Sequence, residues 1–215
     1  MGNRDYKQFS NGTFAHVYNR GNNRENIFLD EQDYRAFLFR LALGLGFEEK
    51  ELRDHPLIHS PRSRIRITNA KKELFKLHSF CLMKNHFHVL IEQCSDISIS
   101  KLISKVCTSY ARYFNEKYGR VGHVFQDKFK AVNIDGHPQL MWATAYIHLN
   151  PVKDDLVKHP SQHKWSSYND YVGGRELPIT YTEFLLSTFG GKCGFEKNVA
   201  GFNHNDELSK TAFDS

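Results

Sequence analysis

Apolar and polar positions along the chain change period several times, and those changes divide it into elements. F-A-H-V-Y-N-R (14–20) alternates in the way of a half-buried strand, and G-N-N-R-E-N (21–26) has the residues of a turn. Asp30 stands where an N-cap would, ahead of Tyr34, Phe37, Leu38 and Leu41 at helical spacing, which predicts a helix over 31–47. L-F-K-L-H-S-F-C-L (74–82) and H-F-H-V-L-I-E-Q (86–93) read as two strands, and Lys84-Asn85 is the turn that makes them a hairpin. Leu102, Ile103, Val106, Tyr110 and Phe114 form the apolar stripe of a further helix, capped by Ser98 or Ser100 and ended by Gly119. A further strand, F-K-A-V-N-I, is expected within 123–134, and a helix opens at Pro138 and runs to about Asp155, with Pro151 breaking or kinking it near its end.

The resulting order is β-α-β-β-α-β-α. Its first six elements match the ferredoxin-like split βαβ pattern, so the expected class is α+β: an antiparallel sheet with helices on one face, then a C-terminal helical extension. The expected organisation is one domain over 1–191, with its core at about 14–156 and an extension at 157–191. Residues 48–73 are charged, contain Pro56 and Pro61, and read as an irregular excursion. Residues 192–215 are weakly patterned and read as a tail open to disorder.

Composition narrows the class. The chain has 215 residues, 40% hydrophobic and 13% aromatic, enough to build a core. No run approaches the length of a membrane span, and the first residues carry no apolar secretory segment, so the expectation is a cytoplasmic protein with no membrane partner. The cysteines, at 81, 94, 107 and 193, form no C-x-x-C pair and read as buried free thiols. The net charge of +5 is unevenly placed. Residues 101–130 hold seven Lys and Arg against two acids, and residues 61–76 hold six against one. The remainder is net negative, an arrangement that suggests a polyanion-binding face.

The candidate chemistry begins at His86 and His88. Residues i and i+2 of a strand share a face, so the two imidazoles stand side by side while Phe87 points away. A third ligand must come from another element, and Asn150 is the candidate. Tyr146 lies one turn before it on the same helix face. A metal beside a tyrosine hydroxyl on a basic protein suggests phosphoryl transfer with the tyrosine oxygen as nucleophile. Tyr110, Tyr113 and Tyr118 compete for that role from a basic helix. His16 and His148 read as structural or DNA-facing.

These motifs carry a resemblance. H-F-H matches the His-hydrophobic-His motif of the HUH endonucleases. A-Y-I-H-L-N-P-V-K (145–153) and W-S-S-Y-N-D-Y-V-G (165–173) resemble the single-tyrosine HUH transposases, the REP-associated tyrosine transposase group above all. V-Y-N-R-G-N-N-R (17–24), G-H-V-F-Q-D-K-F-K-A (122–131) and F-L-L-S-T-F-G (184–190) extend the likeness over roughly 14–190. The resemblance implies His86 and His88 as the metal pair, Tyr146 as nucleophile and Asn150 as the polar third ligand. It also implies Mg²⁺ or Mn²⁺ as cofactor, with Mn²⁺ the tighter. The implied activity is cleavage of single-stranded DNA beside a hairpin through a covalent 5′-phosphotyrosine, followed by rejoining, by a monomer or homodimer. Expected DNA contacts are Arg20, Asn22, Arg24, Lys101, Lys105, Arg112, Arg120, Lys128 and Lys130, with the basic stretch 62–72 as a further candidate. Two rival readings remain: an H-x-H hydrolase that activates water, and a domesticated hairpin-binding protein that does not cleave.

Overall fold

The computed structural model describes residues 9–52, 55–58 and 71–202. The elements are β1 (Phe14–Arg20), α1 (Glu31–Gly44), α2 (Glu49–Leu52), β2 (Phe75–Leu82), β3 (His86–Gln93), α3 (Ile99–Tyr118), β4 (Lys130–Ile134), α4 (His137–Lys153), α5 (Tyr168–Val172), α6 (Glu183–Phe189) and α7 (Lys192–Ala200). Short 3₁₀ turns at Asn22–Arg24 and Pro160–Gln162 complete them. Arg62, Arg64 and Arg66 of the basic excursion lie outside the described residues.

The strands form one antiparallel sheet in the order β2-β3-β1-β4, the order expected of the ferredoxin-like pattern. Strand alternation then sorts the side chains. Ala15, Val17, Phe87, Val89 and Ile91 pack with α1 and α3. His16, Tyr18, His86, His88 and Leu90 occupy the opposite face, toward α4. A bulge between Leu77 and Ser79 shifts the pairing of β2 by one residue, so Leu77 and Phe80 both reach the α1/α3 core.

Local chemistry accounts for the helix ends. Asp30 accepts a hydrogen bond from the Asp33 backbone N–H at 3.1 Å, and the Asp33 carboxylate accepts from the Asp30 N–H at 3.2 Å, a reciprocal capping box. Asp33 is fully buried and also takes Lys117 Nζ at 2.8 Å and the Tyr118 hydroxyl at 2.8 Å, tying α1 to α3. The Ser98 side chain caps α3, and Gly119 ends it at φ 60°. The two helices cross closely at Gly44, where a Cβ would stand 2.6 Å from a Leu102 methyl.

Several expectations change. Helix α1 ends at Gly44 rather than at 47, because the chain turns through Gly46 at φ +96°. The strand expected as F-K-A-V-N-I forms over Lys130–Ile134. Val124 to Phe129 instead folds over the end of β1, with Asn22 N–H donating to Val124 O and Gln126 N–H to Arg20 O, both at 2.9 Å. Pro151 does not break α4: the helix continues through it to Lys153, its last residue.

Helices do not cover only one face of the sheet. Helices α4 to α7 form a second layer around Leu90, Trp142, Ile147, Tyr171 and Phe195. The expected tail is therefore helical over Lys192–Ala200, with Phe195 fully buried and stacked on Tyr171 at 4.5 Å. Residues 203–215 lie outside the described residues. Only Cys81 and Cys107 are buried thiols; Cys94 is half-buried and Cys193 exposed.

Candidate active site

Register places the two histidines. His88 pairs across the sheet with Tyr18, and His86 with Arg20, on the α4 face. Both rings are almost fully buried, and their planes stand perpendicular with centroids 5.0 Å apart. The His86 Nδ1–H donates to Asn85 Oδ1 at 2.6 Å, and the Asn85 amide donates to Arg24 O at 3.2 Å. His88 Nδ1 lies 2.9 Å from His16 Nε2. Burial lowers the His86 pKa to about 4, with Arg20 adding to the effect. It holds His88 well below the ordinary histidine range, helped by the neighbouring His16 and His86. Both imidazoles are therefore neutral at physiological pH.

Asn150 is buried on α4. Its Nδ2 donates to Tyr146 O at 2.8 Å, one turn back, which leaves the amide oxygen for other partners. Its side chain lies close enough to the His86 ring to act on that ring's proton affinity. The same helix presents Tyr146, half-buried, with its ring edge-on to His88 at 5.6 Å and to His16 at 5.9 Å. Trp142, one turn earlier, stacks on Tyr146 at 5.0 Å and 15°. Lys153 Nζ stands 5.4 Å from the centre of the Tyr146 ring.

These donors suit a divalent cation. Neutral imidazoles tied at Nδ1 keep their Nε2 lone pairs for a metal, and an amide oxygen is an acceptable third donor. Among the described residues, no group of three His, Cys, Asp or Glu side chains forms a metal cluster, so any site here depends on Asn150.

A cavity of about 580 Å³ opens over this group. Arg20, Arg24, Lys128, Lys130 and Lys153 line it with His86, His88, Tyr146 and Asn150. Of the expected DNA contacts, four thus gather at the cavity. Arg112 lies in a neighbouring groove. Lys101 and Lys105 are exposed on α3 away from both, Arg120 is paired with Glu25 at 2.9 Å, and Asn22 is outside the lining. The competing tyrosines sit on the α1/α3 side: the Tyr110 hydroxyl donates to Ile27 O, and those of Tyr113 and Tyr118 to Asp33. Sequence reasoning gave His16 only a structural or DNA-facing role and passed over Lys153, Gln126, Asp127 and Asp154, all at or beside this cavity. The N-P-V-K run held the one available signal, since Lys153 is two helical turns from Tyr146.

Residues 52–150 match the family described as "Transposase IS200 like", a stretch that contains both histidines, Tyr146 and Asn150. The resemblance read from the motifs is thus to the same IS200-like transposases, with the match spanning less than half of the chain. A solved structure of a REP-associated tyrosine transposase bound to a REP hairpin superposes with a TM-score of 0.55 at 18% identity, covering 85% of this chain and 92% of that one. The two share their overall fold. No curated protein matches the chain, and no described helix is long and apolar enough to cross a membrane.

Proposed function

We propose that this protein is a single-tyrosine transposase that nicks single-stranded DNA beside a hairpin and rejoins it, with core and extension acting as one domain on DNA in the cytoplasm, at the nucleoid. The observation that carries this reading is the position of Tyr146, edge-on to His88 and one turn from the buried Asn150 amide.

His86 and His88 through Nε2, and Asn150 through its amide oxygen, would hold Mg²⁺ or Mn²⁺. When bound, the ion withdraws charge from a non-bridging phosphate oxygen. The Tyr146 oxygen attacks phosphorus, the bond to the 3′ oxygen breaks, and that oxygen takes a proton to leave as a 3′-OH. The phenol proton passes to water. The product is a 5′-phosphotyrosine, and attack by a 3′-OH reverses the step, which needs no external energy source. Lys153 favours the developing phenolate by its charge. Trp142 holds the ring in place. Arg20, Arg24, Lys128 and Lys130 supply the positive wall for the phosphates. The hairpin itself is proposed by analogy with the REP hairpin of the structural neighbour.

The test uses end-labelled single-stranded hairpin oligonucleotides incubated with Mn²⁺ or Mg²⁺ and resolved on denaturing gels. The expected result is a protein–DNA adduct that is lost with Tyr146→Phe and with EDTA, while hairpin binding by the variant persists. Metal-dependent cutting without an adduct would replace this reading with the water-activating hydrolase. Tight hairpin binding with neither product would replace it with the non-cleaving binder.

A further inference from the structure

A second trough lies between α3 and the Gly122–Phe129 segment, with a volume of about 760 Å³, larger than the cavity over Tyr146. The two share Asn19, Gln126, Asp127 and Lys128 as lining, so they are lobes of one continuous depression. On the α3 wall stand Ser100, Ser104, Thr108 and Arg112, each four residues after the last. At 1.5 Å rise per residue they form a row with a polar group roughly every 6 Å, about 18 Å in all. That step is on the scale of successive phosphates along an extended strand.

Most of this row is uncommitted. Ser104, Thr108 and Arg112 are exposed and make no side-chain hydrogen bond or ion pair with the described residues. Lys117 and Arg120, further along the chain, are by contrast tied to Asp30, Asp33 and Glu25. The charge of the trough is low, because Asp127 offsets part of Arg112 and Lys128. A duplex demands dense cationic contacts, whereas a single strand has a lower charge density and is held by hydroxyls, amides and a few cations. Gln126, exposed at the junction of the two lobes, presents an amide of the type that reads exposed base edges, while the buried Asn19 amide beside it is held by Asp127 O and the Arg20 N–H.

We propose that this trough is the binding site for the unpaired DNA strand that continues from the scissile phosphate, its backbone following the Ser100–Arg112 row and its first bases meeting Gln126. The proposal rests on the transposase reading above and adds to it the site that holds the flank.

The experiment compares two probes: a DNA hairpin with a short unpaired flank, and the same hairpin without it. Affinities are measured by fluorescence anisotropy without metal, for the wild type, Arg112→Ala and Thr108→Tyr, the last filling the trough from an exposed helix position. The wild type is expected to prefer the flanked hairpin. Each variant is expected to lose about tenfold, or 1.4 kcal/mol, on the flanked probe and nothing on the blunt one. A photoreactive thymine analogue in the flank is expected to cross-link to α3 in the wild type, a readout independent of how any variant folds. Equal binding of both probes by all three proteins, with no cross-link to α3, overturns the trough assignment while hairpin binding and the Tyr146 adduct stand. Failure to bind either hairpin overturns the transposase reading, and the trough assignment with it.

Discussion

His16 and His88 meet end to end across the β1–β3 pairing: His16 Nε2 lies 2.9 Å from His88 Nδ1, and the ring planes are within 16° of parallel with centroids 5.1 Å apart. That spacing is too wide for face-to-face stacking and fits an in-plane N–H···N bond. If His88 donates from Nδ1, its Nε2 lone pair points where a metal would sit, and His16 fixes that tautomer. His16→Ala is expected to weaken Mn²⁺ binding by about 10- to 100-fold, as loss of such a supporting bond does elsewhere. His16→Gln, whose amide oxygen can accept the same bond, should recover much of it. Titration of the Mn²⁺ signal by electron paramagnetic resonance measures this, and an unchanged affinity in the alanine variant would remove His16 from the metal site.

Lys153 is expected to act on the tyrosine rather than on DNA affinity. Lys153→Met keeps most of the stem and removes the charge beside the Tyr146 ring. Without that charge the phenolate is harder to form, so cleavage at saturating DNA should slow by about tenfold at neutral pH, an added barrier of about 1.4 kcal/mol. The deficit should narrow as pH rises. A pH–rate profile superimposable on that of the wild type would contradict the assigned role.

The cations at the cavity should reveal themselves through salt. Removing one side chain that neutralises a phosphate of a single strand lowers the slope of log affinity against log salt by about 0.7. Arg20→Ala, Arg24→Ala and Lys130→Ala are each expected to show a drop of that size. Lys164→Ala, where the ammonium is paired with Glu31 well away from the cavity lining, should not. Binding isotherms at several salt concentrations separate the two groups.

Acid should weaken the second core layer through His148. This fully buried ring donates from Nδ1 to Thr144 O at 2.8 Å and accepts at Nε2 from the Ser167 hydroxyl at 2.7 Å, an arrangement that requires the neutral form. Burial lowers its pKa to about 3, from 6.5 in the unfolded chain. Below pH 6.5 the unfolded state therefore takes up a proton that the folded state refuses until about pH 3. Its contribution is complete above pH 6.5 and is progressively lost as pH falls through that window. His148→Gln, which can both donate and accept, should lose less stability than the wild type between pH 6.5 and pH 4 in urea melts. A parallel decline would show that other groups carry the acid sensitivity.

The sheet and its first helices were legible because period-2 and period-3.6 patterns are local, and because Asp30, Ser98 and Gly119 are local end signals. The i, i+2 spacing of His86 and His88, and the i, i+4 spacing of Tyr146 and Asn150, were legible for the same reason. His16 was not: its bond to His88 depends on strand register between segments 72 residues apart. The second layer was missed because α5 and α6 are only five and seven residues long, too short to show a helical period, and owe their place to Tyr171, Leu185 and Phe195 in the shared core. The strand F-K-A-V-N-I was legible from its local pattern, whereas the anchoring of Val124 and Phe125 to the end of β1 depends on contacts distant in sequence.

The histidines on β3 and the tyrosine and amide on α4 lie against one another within a single polypeptide, in layers that the fold brings together directly. Under the proposed chemistry, no group has to be borrowed from another copy. Dilution should then leave the rate per molecule untouched: the yield of covalent adduct should rise in direct proportion to protein, with no threshold. A mixture of Tyr146→Phe chains with chains altered at His86 and His88 should stay inert, because neither partner could lend the other what it lacks.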